Sequence, residues 1–270
     1  MHKSERLLIV IAGLMASFAF YRYEFTLEDN WTSSDILRST DLVAANVGNA
    51  PDFKQYSGSK LKKQAFFNYL RPGIALENQR ILKERSRLER IEEHFDKMTL
   101  SNDDMLYAKR LGHLYHVPLP EDGIDRIWLN RMLHRVDVLP EALILIQAAN
   151  ESAWGTSRFA TKANNYFGQW CYQRGCGLIP QQRAEGKTHE VAKFHSVQES
   201  IHGYFMNVNR NNAYYELREI RYKRHMNKKS LTDTQAAIAL TKGLLKYSER
   251  GEAYVNDLQA MIRHNEAFWN

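Results

Sequence analysis

One stretch of the 270-residue chain concentrates side chains able to move a proton. Leu143, Ile144, Leu145, Ile146, Ala148 and Ala149 make an apolar helical run that ends at a single acid, Glu151, followed at once by Ser152, Trp154 and Gly155. A carboxyl that surfaces from a greasy helix beside an indole loses hydration, and desolvation favours its protonated form. Such a group can donate a proton near neutrality. Alone, it reads more readily as a surface glutamate after a core helix. The polar-aromatic turn Asn164-Asn165-Tyr166-Phe167-Gly168 makes the donor reading the stronger one. Trp154, Tyr166 and Trp170 are flat faces able to stack on a ring, whereas Phe167, with no polar handle, reads as core.

The elements around this stretch are mostly helical. Lys60–Tyr69 predicts a short amphipathic helix stopped by Pro72 and Gly73. Ile81, Leu88, Ile91 and Phe95 continue at helical spacing through a charged stretch, which packs along the main domain or pairs as a coiled coil. Ser101 to Asp104 can cap the next helix, and Ile127, Trp128, Met132 and Leu133 mark another. Pro140 suits the first turn of the helix leading to Glu151. Tyr172 to Phe194 predicts a small two-stranded hairpin. Helices follow after Ser196, after Thr232 and from Glu252 to His264.

A net charge of +6 and an apolar share of 44% describe a globular, mildly basic chain and exclude wholesale disorder. Arg218 to His225 is a basic run without base-stacking context, so it reads as a solvated helix face, and nucleic acid is not an expected partner. Leu7 to Phe20 carries no charge and follows a charged start. It is short of the roughly 20 residues of a spanning helix and fits a secretory signal or an anchor within residues 1–22. A periplasmic protein, free or held at the inner membrane through residues 7–20, is the expectation. Residues 23–58 read as a linker and 59–124 as a helical extension. In an oxidising compartment Cys171 and Cys176, five apart, form a disulfide by default. The histidines stand too far off to complete a zinc set, so no metal and no cofactor is expected.

The segments Ala148–Ser157 and Asn164–Gly168, with Tyr247-Ser248 and Tyr254, resemble the glucosaminidase domain of peptidoglycan hydrolases. The resemblance covers roughly residues 125–265. It implies a lysozyme-like α+β fold, mostly α-helical with a small β-hairpin lobe, for residues 125–270. It also implies cleavage of β-1,4 links after N-acetylglucosamine in glycan strands; separately, a monomer is expected. Glu151 falls on the family's catalytic acid, Tyr247 on its active-site tyrosine, and Asn165 and Tyr254 in its substrate-facing segments. A second carboxylate is usual on the hairpin, but Gln181 or Gln182 stands in that place here. Glu185 is the first substitute and Glu190 the second; without either, the substrate's acetamido group could assist. Two competing expectations stand beside hydrolysis. One is a lytic transglycosylase reaction in which Glu151 serves as both acid and base; the other is a non-catalytic wall-binding protein.

Overall fold

The computed structural model describes residues 47–181 and 188–269. The expected signal or anchor, most of the linker, and Glu185 lie outside them. Nine helices and a small sheet make up the described residues: α1 (Ser59–Asp96), α2 (Asn102–Leu114), α3 (Arg126–Arg135), α4 (Glu141–Ser152), α5 (Arg158–Ala163), β1 (Trp170–Cys171), β2 (Gly177–Leu178), β3 (Glu190–Ala192), α6 (Val197–Arg210), α7 (Tyr215–Met226), α8 (Thr234–Thr241) and α9 (Glu252–His264). The α+β expectation, mostly helical, holds. Among these helices none is long and apolar enough to cross a membrane.

The core is α4, whose Leu143, Ile144, Leu145, Ile146, Ala148 and Ala149 are at most 1% exposed. Pro140 caps it with φ −68°, and no side chain is needed there. Around α4 pack α1, α8 and α9. Further caps match the sequence: Ser101 and Asp104 form a reciprocal box before α2, Asp125 accepts from Trp128 N, and Ser196 accepts from Glu199 N. Ahead of α8 the cap is Asp233, one residue beyond the expected Thr232, and it accepts from Ala236 N. Ile127, expected on the core face of α3, is exposed.

The largest departure from expectation is at Pro72-Gly73, which lies inside the continuous helix α1. A proline in a helix interior costs about 3 kcal/mol. Phe66, Phe67, Leu70, Ile74, Ile81, Leu88 and Ile91 are all at most 1% exposed, and burying each contributes about 1.5–3 kcal/mol. Tertiary burial therefore wins over local propensity. Gly73 serves close packing instead of a stop: a Cβ there would lie 2.4 Å from Val47 Cγ2 and 2.7 Å from Ile201 Cδ1. The apolar stripe of α1 is thus occupied by its own domain. Residues 47–58, expected to be linker, are docked as well, with Phe53 buried against Phe66 and Tyr69.

Charge stitches α1 to α6. Glu77, 1% exposed, pairs with Arg80 at 2.9 Å and with His202 Nδ1 at 3.0 Å. Burial opposes its ionisation, but Arg80 and His202 outweigh that and hold its pKa at about 2 against an ordinary 4.5. A depressed carboxylate stabilises the fold above its unfolded pKa, and that contribution disappears as pH falls from about 4.5 towards 2. Glu77→Gln should therefore unfold about 3 kcal/mol more easily than wild type at neutral pH. Denaturant midpoints measured from pH 7 to pH 2 should converge.

The basic run also departs from expectation. Arg218 and Arg221 are buried, not solvated. Arg221 donates to the carbonyls of Asp137, Val138, His134 and Arg135 and to Asn209 Oδ1, while Arg218 donates to those of Val208 and Asn211. These carbonyls lie in the last turns of α3 and α6 and just beyond them, and a guanidinium reaches several at once.

Candidate active site

Glu151 lies in the last turn of α4, and the residues after it end the helix abruptly. Ala153, Trp154 and Gly155 take left-handed φ values of 50°, 59° and 75° in succession. For the two non-glycine residues this costs about 1–2 kcal/mol each. Ser152 holds the turn: its hydroxyl donates to Ala148 O at 2.6 Å and accepts from Gly155 N at 2.8 Å. Trp154 N donates to Ala149 O at 2.9 Å. At Gly155 a Cβ would stand 2.4 Å from Phe53 Cδ2, so only glycine fits. The chain leaves Glu151 half-buried at the helix end, pointing out of the core.

The carboxyl of Glu151 is bracketed on both oxygens. Oε1 accepts from the Tyr254 hydroxyl at 2.9 Å and from Asn150 Nδ2 at 3.2 Å. Oε2 faces Gly168, where a Cβ would stand only 3.1 Å away and where φ is 64°. Gly168 is therefore both a left-handed turn residue and a close neighbour of the acid. Burial raises the Glu151 pKa, while the hydrogen bonds from Tyr254 and Asn150 pull it down less strongly. Among the described residues no second carboxylate contributes to this shift.

Behind the acid stand four tyrosines. Tyr247 and Tyr254 stack with parallel rings 5.8 Å apart, and Tyr247 neighbours Tyr204 and Tyr214. The Tyr247 hydroxyl donates to Phe167 O at 2.7 Å, tying the C-terminal segment to the 164–168 turn. Tyr254 is 2% exposed and is braced by Gln147 Nε2 at 3.0 Å, so it positions Glu151 and offers no face to a ligand. Gln147, Tyr204 and Tyr214 were missed from sequence. The signal for Gln147 was present: it is the lone polar residue between Leu143 and Ala149, one helical turn before the acid.

Several expected ligand contacts turn out to be architectural. Tyr166 is 1% exposed, its ring stacked on Phe66, and cannot present a face to a sugar. Asn165 is equally buried; its amide donates to Gln169 O and Ala192 O, and its oxygen accepts from the Phe167 and Gln169 amides. Trp154 packs against Phe66 and Phe67, with Lys63 over its ring. It buttresses α1 on the end of α4. Phe167 is core, as expected.

The β lobe is a three-stranded antiparallel sheet in the order β1-β3-β2, not a two-stranded hairpin. Trp170 pairs with Val191 and Leu178 with Val191 on the other side. Cys171 and Cys176 form a disulfide, and Glu190 seals the loop it closes: its two oxygens accept from Gly175 N at 3.0 Å and Gly177 N at 2.8 Å. At 5% exposure with both oxygens occupied, Glu190 is not placed to activate water or to hold a ligand. The two sulfurs and Glu190 do gather within 4.8 Å, but sulfurs joined to each other are not thiolate ligands. Trp170 keeps its expected role open: it is 51% exposed and lies flat on His189 at 4.1 Å.

A carboxyl whose pKa is raised by burial, which is braced by a phenol and opens beside a glycine, has the features of a proton donor. Residues 128–267 match the model of the glucosaminidase family, described as mannosyl-glycoprotein endo-beta-N-acetylglucosaminidase. The chain belongs to the glucosaminidase family. It is also similar to Protein bax of Escherichia coli (strain K12), at 32% identity over 223 residues, which span 83% of this chain and 77% of that protein. No solved structure matches. Membership of the glucosaminidase family makes the protein a glycosidase-like enzyme.

Proposed function

We propose that the protein hydrolyses β-1,4 glycosidic bonds in peptidoglycan glycan strands, cutting after N-acetylglucosamine with Glu151 as general acid. The observation that carries this reading is the environment of Glu151: burial raises its pKa while its Oε2 stays beside Gly168, which brings no side chain against it. The acid gives its proton to the glycosidic oxygen as positive charge builds on the sugar ring. The oxygens of Tyr247 and the ionised Glu151 are the nearby groups that can offset that charge. Trp170, supported by His189, supplies an exposed face for a sugar ring. The chain acts outside the cytoplasm as a monomer, delivered there by residues 1–22.

A second reading draws on Glu190. Because its carboxylate is taken up by the Gly175 and Gly177 amides, no hairpin acid among the described residues is offered to a water molecule. That favours a reaction run by Glu151 alone, as acid and then base, in which the sugar closes on itself to an anhydro product. Mass spectrometry of isolated sacculi digested with the purified protein separates the two. Reducing N-acetylglucosamine ends are the expected result, and anhydro-muramyl ends would replace hydrolysis by the second reading. Intact sacculi would sink both.

A further inference from the structure

Gln147 is fully buried in an otherwise apolar part of α4. An amide in such a place must satisfy both its ends. Its Oε1 accepts from the Tyr204 hydroxyl, and its Nε2 donates to Tyr254 Oη at 3.0 Å. The Tyr254 hydroxyl in turn donates to Glu151 Oε1 at 2.9 Å. Each link constrains the next, because a phenol carries one proton. Tyr254 receives an N–H from Gln147, so its own proton has only Glu151 as partner in this chain. Glu151 Oε1 is therefore an acceptor, and Asn150 Nδ2 reinforces that at 3.2 Å.

We propose that Gln147 is a positioning residue that, together with Tyr204, fixes the direction of the hydrogen bonds into Glu151 and so confines the transferable proton to Oε2. The proposal rests on Glu151 being the acid. Its consequence is geometric: Oε2 is the oxygen beside Gly168, whereas Oε1 points back at the buried tyrosines. If the Gln147 amide turned over, every donor in the chain would reverse. Tyr254 would then donate to Gln147, and the acid proton would settle on Oε1, directed at Tyr254 and away from a leaving oxygen. The Tyr204 hydroxyl, donating to Gln147 Oε1, holds the productive orientation.

The test compares Gln147→Met, which erases the direction, with Gln147→Glu, which draws both tyrosine protons towards position 147. Turnover on sacculi is followed across pH, and the Glu151 carboxyl is titrated directly by carbon-13 NMR. Both variants should lose about tenfold or more in kcat with a smaller change in KM. In Gln147→Glu the alkaline limb and the Glu151 titration should both move to higher pH, since the carboxylate loses a donor and gains a like charge. Tyr204→Phe removes one hydroxyl from the far end and keeps the proposal testable should the Gln147 variants not fold; a kcat loss in the same direction is expected. Folded variants with wild-type kcat and an unmoved Glu151 titration would overturn the relay, as would a lower melting temperature with both readouts unchanged. An active Glu151→Gln would instead remove the acid assignment beneath it, so the two failures are distinguishable.

Discussion

Glu151→Gln is expected to cut turnover on sacculi by about 10²–10⁴-fold, the contribution of a positioned general acid, with KM changed little. The amide still accepts from Tyr254, so geometry is retained while the proton is lost. The same substitution should stabilise the protein. Burial raises the folded pKa of Glu151 above its ordinary 4.5. A group raised in this way favours the fold below its unfolded pKa, and that advantage is lost as pH rises through the folded value. At neutral pH the variant should therefore melt above wild type, and the gap should close as pH drops below about 4.5. An unaltered rate would end the catalytic reading, while a variant that melts lower at neutral pH would contradict the burial account.

The second large effect is expected at Gly243. This residue lies in the 3-10 turn Lys242–Leu244, which is pressed against α7. A Cβ there would stand 2.2 Å from Leu217 N and 2.3 Å from Leu217 Cα. Backbone cannot yield as a side-chain tip can, so Gly243→Ala should sit at the upper end of overpacking, about 3 kcal/mol. That corresponds to a melting temperature lower by about 10 °C. Activity should fall further than stability alone explains, because the displaced turn leads directly to Tyr247 and on to Tyr254. Gly48→Ala, which meets nothing within 4 Å, is the matched control. Circular dichroism melts and sacculus turnover read both arms, and a Gly243→Ala protein that melts with the control would refute the packing account.

What was legible in the sequence follows from what is local. Caps at Ser101 and Ser196 need only a few residues of context, and the structure uses them as their spacing predicts. The proline in α1 misled because its local cost is outweighed by burial against helices distant in the chain. Arg218 and Arg221 misled for a related reason: their acceptors are backbone carbonyls as far back as His134, and carbonyls leave no mark in a sequence. In the site, the acid and the Tyr254 region stood out as residue types. Which aromatics face a cleft did not, since Tyr166 and Trp170 differ only in the partners that α1 and His189 supply.

The docking of α1 has a consequence for where this protein can be divided. The family match begins at residue 128, yet Phe66 and Phe67 brace the Trp154 turn and Phe53 closes over Gly155. The end of the helix that presents Glu151 is thus built partly from chain that precedes the family domain by some sixty residues or more. The family domain and the unit that folds are different lengths of polypeptide. The stiffness of the acid's mount belongs to the longer one.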